Sequence, residues 1–126
     1  MYFPLYNLGI EYSDDDDTPI FIFTDDTNHK IIRYWSIQCG GHQASILVCK
    51  NNQLHGTQYQ WWSIQEGGHL FSVTNYKNNQ LHGIQWGWYS IQYGGHQRSI
   101  ENYKNGKLFG TRQYWELDGS YHTEQY

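Results

Sequence analysis

The chain has 126 residues and a mass of 15.0 kDa, the size of one domain and too little for two ordinary ones. Hydrophobic residues make up 38 %, yet aromatics reach 18 %, with 12 Tyr, 6 Trp, one Met and a single alanine, Ala44. This excludes a disordered chain and leaves a helical bundle without raw material, so the composition is all-β. The formal charge of −4 excludes the basic stripe that nucleic-acid binding demands.

The charge is unevenly spread. Residues 1–26 carry Glu11, Asp14, Asp15, Asp16, Asp17, Asp25 and Asp26 and no base, so they hold −7 and the remainder holds +3. Residues 1–17 therefore read as an acidic leader or cap ahead of a mildly basic body spanning 18–126. Met1–Ile10 is fairly apolar but lacks a basic start and a small-residue cleavage site, and no stretch approaches the ~20 apolar residues of a membrane span. The Asp14–Asp17 run lacks the glycine and terminal glutamate of an EF-hand loop, so it reads as a solvated string rather than a Ca²⁺ site. Docked on the body, it would mask basic surface from anionic lipid.

From Thr18 onward the sequence repeats. Gly40-Gly41-His42 recurs as Gly67-Gly68-His69 and Gly94-Gly95-His96; Lys50 as Lys77 and Lys104; Trp61 as Trp88 and Trp115; Tyr34 stands one period before Trp61. Every interval is 27, giving about four units whose outer copies are degraded, as array ends are. Each unit has two turn signals. One is the Gly-Gly corner, at Cys39-Gly40-Gly41, Glu66-Gly67-Gly68 and Tyr93-Gly94-Gly95. The other is Lys50–Gly56, Lys77–Gly83 and Lys104–Gly110, the last holding Asn105-Gly106, whose two central residues tolerate the positive φ of a tight hairpin. Stretches such as Thr57–Gln65 and His69–Tyr76 are rich in Trp, Tyr, Ile, Val and Thr and read as strands. The expectation is an antiparallel meander of repeated β-hairpins.

Alternation puts Thr57, Tyr59, Trp61 and Ser63 on one side and Gln58, Gln60, Trp62 and Ile64 on the other. Neither side is plainly polar. Either both faces carry aromatic ridges under long Gln and Lys stems, or one face packs on the leader or a second chain. Cys39 and Cys49 lie ten residues apart, roughly 30 Å in extended chain, so they read as free thiols of a reducing compartment.

Seven histidines invite a metal reading, but equivalent residues in neighbouring hairpins stand about 9.6 Å apart, too far to share one ion. His42, His69 and His96, and separately His55 and His82, read as turn histidines. No metal site is expected. The carboxylates Glu66, Glu101, Glu116, Asp118 and Glu124 do not recur with the period, and no nucleophile elbow or phosphate loop occurs, so neither an enzyme nor a cofactor is expected. The informative feature is aromatic: Tyr34, Trp61, Trp88 and Trp115, with Tyr59 and Trp86 beside them, are the candidate partner-binding residues, because Trp and Tyr dominate binding hot spots. Rings in a one-layer sheet must also cover their own neighbours. Unprotected sheet edges add a homodimer, through an edge or an aromatic face, to the expectations.

The segments Asn75–Gly83 and Asn102–Gly110, with the closing Trp115-Glu116-Leu117-Asp118-Gly119-Ser120, resemble the MORN repeat over roughly residues 40–120. The unit here is longer, and Gly-Gly-His replaces the family's Asp/Asn-Gly turn in three places. The resemblance implies an elongated, twisted, single-layer antiparallel sheet. It also implies a non-catalytic protein–protein interaction or scaffold module; with the free thiols of a reducing compartment, the expected location is intracellular and cytoplasmic. The alternatives are a carbohydrate-binding module reading sugars with Trp faces, a phospholipid-headgroup module using Lys50, Lys77 and Lys104, and an antitoxin-like protein. Asn/Gln-rich, Ala-poor usage fits an AT-rich genome, and a giant virus, hence a host cytoplasm, is one lineage of that kind.

Overall fold

The computed structural model describes residues 7–12, 19–24 and 28–126; the Asp14–Asp17 run, and with it the expected docking of the leader, lies outside the described residues. The chain folds into a single-layer, open antiparallel sheet. Its strands are β1 (Asn7–Tyr12), β2 (Pro19–Thr24), β3 (Asn28–Tyr34), β4 (Gln43–Lys50), β5 (Gln53–Leu54), β6 (Gly56–Trp61), β7 (Leu70–Lys77), β8 (Gln80–Leu81), β9 (Gly83–Trp88), β10 (Gln97–Lys104), β11 (Lys107–Leu108), β12 (Thr111–Trp115) and β13 (Tyr121–Gln125). The order across the sheet is β1-β2-β3-β4-β6-β7-β9-β10-β12-β13, while the two-residue strands β5, β8 and β11 pair beside β4, β7 and β10. At ~4.8 Å per strand this sequential meander is about 43 Å wide. The described part of the 1–17 segment is thus one more strand of the same sheet, since β1 pairs β2 over six residue pairs.

The elements keep the 27-residue period: β4, β7 and β10 begin at Gln43, Leu70 and Gln97, and 3-10 turns stand at Ile37–Cys39, Ile64–Glu66 and Ile91–Tyr93. The tight turns form as the asparagines require. Asn51, Asn52, Asn78, Asn79 and Asn105 all have φ between 51° and 67°, and Gly106 has 82°, the paired positive φ of a twisted hairpin turn. The corner differs from expectation. Ser63 and Ile64 do not continue the strand, because the Ser63 carbonyl accepts the Glu66 and Gly68 N–H groups at 3.0 and 2.8 Å. That closure needs φ of 119° and 71° at Gly67 and Gly68, which glycine adopts without strain. The alternation inferred for Thr57–Gln65 therefore ends at Trp61.

One extra residue precedes each long strand's regular pairing: Tyr34↔Gln43 is followed by Arg33↔Ser45, Trp61↔Leu70 by Gln60↔Ser72, and Trp88↔Gln97 by Gly87↔Ser99. Ala44, Phe71 and Arg98 are the bulged residues, and bulges at a fixed period add twist in equal steps.

A single layer has little interior. Val73, at 9 % exposure, is the one buried hydrophobic residue among the described side chains, whereas Gln58, Ser63, Ser72, Gln85 and Ser90 are buried polar residues. Order is kept instead by side-chain and main-chain bonds to the backbone of the neighbouring unit. At the corners, His42, His69 and His96 bring Nε2 to the carbonyls of Trp62, Tyr89 and Glu116 at 2.8, 2.7 and 3.1 Å. Trp35 and Trp62 donate Nε1–H to Trp61 O and Trp88 O, and the Tyr89 hydroxyl donates to Trp115 O. At the opposite end, the Asn79 and Gly106 N–H groups donate to Leu54 O and Leu81 O at 2.9 Å. Each such bond adds ~0.5–1.5 kcal/mol, and the same bonds recur at each unit.

Gln58 and Gln85 close the remaining gap, where each long strand forks between a two-residue strand and the next long one. The Gln85 amide accepts the Asn75 N–H at 2.6 Å and donates to Asn75 O at 3.0 Å and Gly83 O at 3.3 Å. Gln58 does the same for Val48 and Gly56. Each stands in for a missing backbone partner. Cys39 and Cys49 are free thiols. Among the described residues no helix is long and apolar enough to cross a membrane.

Candidate partner-binding face

Register turns the sequence pattern into two chemically different faces, because residues directly opposite across an antiparallel pair project to the same side. Across the sheet run Ile32, Ile46, Tyr59, Val73, Trp86, Ile100, Gln113 and Thr123. Two residues further along their strands, Tyr34, Trp61, Trp88 and Trp115 stand on the same side. All six candidate residues (Tyr34, Tyr59, Trp61, Trp86, Trp88 and Trp115) therefore share one face. The opposite row reads Arg33, Ser45, Gln60, Ser72, Gly87, Ser99, Tyr114 and His122, small or polar throughout.

On the aromatic face the rings cover one another in part. Tyr59 stacks on Trp61 with centroids 5.9 Å apart, and Trp115 lies 5.3 Å from Tyr121. Tyr59 at 36 % and Ile84 at 39 % are exposed while Val73 between them is covered, so the face is a ridge with a packed floor. Toward the corners, Tyr34, His42, Gln43, Trp61 and Gly68 line an open cleft of about 480 Å³. A similarly open counterpart of about 460 Å³ lies at the last corner, walled by Tyr89, Glu116, Leu117 and Asp118. Ile46, Val73, Ile84 and Ile100 complete the face. Ile84 shares the side of Trp86 and Trp88 by alternation within one strand, whereas Ile46, Val73 and Ile100 were missed in the sequence because they belong to other strands, and only pairing aligns them.

The other candidates are not gathered. Lys50, Lys77 and Lys104 end β4, β7 and β10, exposed beside the tight turns, about 9.6 Å apart; Lys104 Nζ lies 5.5 Å from the Phe109 ring centre. The histidines do not converge either: among the described residues no three His, Cys, Asp or Glu side chains gather as for a metal ion. His55 and His82 accept the Asn78 and Asn105 N–H groups through Nδ1 at 3.4 and 3.3 Å, so each neutral ring carries its proton on Nε2.

One charged cluster lies on the polar face near the last strand. Arg112, at the position held by Gln58 and Gln85, reaches Glu101 at 3.3 Å and Glu124 at 3.6 Å and lies over the Tyr114 ring at 4.6 Å. The hydroxyls of Tyr126 and Tyr114, then the Arg112 charge, hold the Glu124 carboxyl below the usual carboxylate range. Burial, then the charge of Glu101, pushes the Tyr103 phenol up. No family model matches the chain, and no curated protein or solved structure matches it.

Proposed function

We propose that the chain is a MORN-type repeat module that binds protein partners through its aromatic face, inside the cell, and performs no chemistry of its own. The observation that carries this reading is the ridge of Tyr59, Trp61, Ile84, Trp86 and Trp88 on one side of a sheet with no second layer among the described residues. Wide rings standing on a regularly spaced, backbone-stapled support are pre-organised, and little ordering cost remains when a partner covers them.

The test is affinity capture from the native host with the wild-type chain and with Tyr59→Ser/Ile84→Ser as bait. Both residues are exposed, so the variant keeps its circular dichroism. A partner retained by the wild type and lost by the variant supports the reading; equal retention ends it. The open cleft of Tyr34, His42, Gln43, Trp61 and Gly68 favours a second reading, a carbohydrate site with ring platforms and amide and imidazole tips. A saturable tryptophan quench by one glycan, abolished in Trp61→Ala, would replace the first reading.

A further inference from the structure

The outer strand β13 carries a pattern that is complementary to itself. Tyr126 N–H donates to Gly110 O at 2.7 Å and Glu116 N–H to Ser120 O at 2.9 Å, both in the register of β12 and β13. In an antiparallel ladder the residues that face the neighbour alternate. The backbone groups of Ser120, His122, Glu124 and Tyr126 thus face β12, and those of Tyr121, Thr123 and Gln125 face outward. Tyr121, Thr123 and Gln125 are exposed. No Lys, Pro or bulge guards the strand, although edges of natural sheets are usually blunted by such devices.

We propose that β13 pairs with β13 of a second copy of this chain, antiparallel about a two-fold axis at Thr123. In that register Thr123 faces the partner's Thr123, Tyr121 faces the partner's Gln125, and Gln125 faces the partner's Tyr121. Each pair exchanges two backbone hydrogen bonds, about six in all. On the polar face, His122, whose Nε2 lies 3.4 Å from Glu116 Oε1 of its own chain, comes opposite the partner's Glu124 twice. A Thr–Thr pair is a favourable cross-strand combination, and no like charges meet. Centring on Tyr121 or Gln125 leaves at least one outward residue unpaired, so this register alone uses all three. The interface is isologous and closed, as two-fold pairing requires. It is independent of what the aromatic face binds, and it continues that face from one copy into the next.

Three measurements test it on the full chain. Wild-type protein should sediment as a concentration-dependent dimer. Thr123→Pro removes only an outward N–H, which an edge strand tolerates. It should be monomeric with unchanged circular dichroism, whereas Glu124→Pro, which removes an inward N–H, should unfold the hairpin. In a Cys39→Ser/Cys49→Ser background, Thr123→Cys should oxidise to a disulfide dimer, because paired Cα atoms stand about 5.5 Å apart; Gln125→Cys in the same background should not. A wild type that stays monomeric, polymers in place of dimers, a dimer that survives Thr123→Pro, or Thr123→Cys no more prone to cross-link than Gln125→Cys would overturn the proposal.

Discussion

At the scale of single residues, the least conspicuous side chains hold the sheet. Gln58 and Gln85 are glutamines in strands, a residue type that is ordinarily exposed, yet they are buried and bond the backbone where the strands fork. Sequence reasoning placed Gln58 on a face and gave it no task, because the fork exists only once β5 and β6 are both paired with β4. The signal available was recurrence at 27, and Arg112 breaks it in the third copy. Gln85→Leu keeps the volume but leaves the Asn75 N–H without its acceptor, while Asn75 O still receives the His82 N–H at 2.9 Å. Stability should fall by ~1–3 kcal/mol, read from urea unfolding, with faster hydrogen exchange at Asn75. An unchanged midpoint would show that the glutamine amide is dispensable.

At the scale of elements, the tight turns were legible and the corners were not. Asn-Asn and Asn-Gly state their positive φ openly. The Ser-Ile-Gln strings at Ser36, Ser63 and Ser90 have strand-like composition and reveal their 3-10 course only through the bonds to those serine carbonyls. The terminal hairpin β12–β13 departs from the repeat in a different way, exchanging the Gly-Gly-His corner for Glu116–Ser120 and the buried amide for an Arg112–Glu124 contact. Its pH response has a defined sign. Glu124 has a depressed folded-state pKa, so its contribution is present above the unfolded carboxylate pKa and is lost as pH falls through the folded value. Wild type should therefore exceed Glu124→Gln in unfolding midpoint at neutral pH, and the gap should close below the carboxylate range. A gap that is constant with pH would mean that the charge contributes nothing.

At the scale of the whole molecule, the antiparallel meander of repeated hairpins could be read from the period alone, since two turn signals every 27 residues leave little other topology. The chemistry of the two faces could not. Apolar and polar residues are mixed within each strand; the ladder of Tyr34, Trp61, Trp88 and Trp115 follows from the period, but Ile32, Ile46, Val73 and Ile100 join it only across strands, once the bulges at Ala44, Phe71 and Arg98 have set the register. Among the described residues, contacts join neighbouring units and no shared core forms, which predicts that units are interchangeable parts.

The most direct test is the removal of one unit. Deleting residues 57–83 joins Gly56 to Ile84 and leaves each histidine, indole and turn staple facing an equivalent acceptor, whereas a deletion from the same point shorter by three residues misaligns all of them. The in-frame deletion should fold, with an all-β circular dichroism spectrum and a cooperative urea transition, and the shorter one should not. Loss of structure in the in-frame protein, or equal folding of both, would contradict the claim that periodic staples between hairpins hold this sheet together.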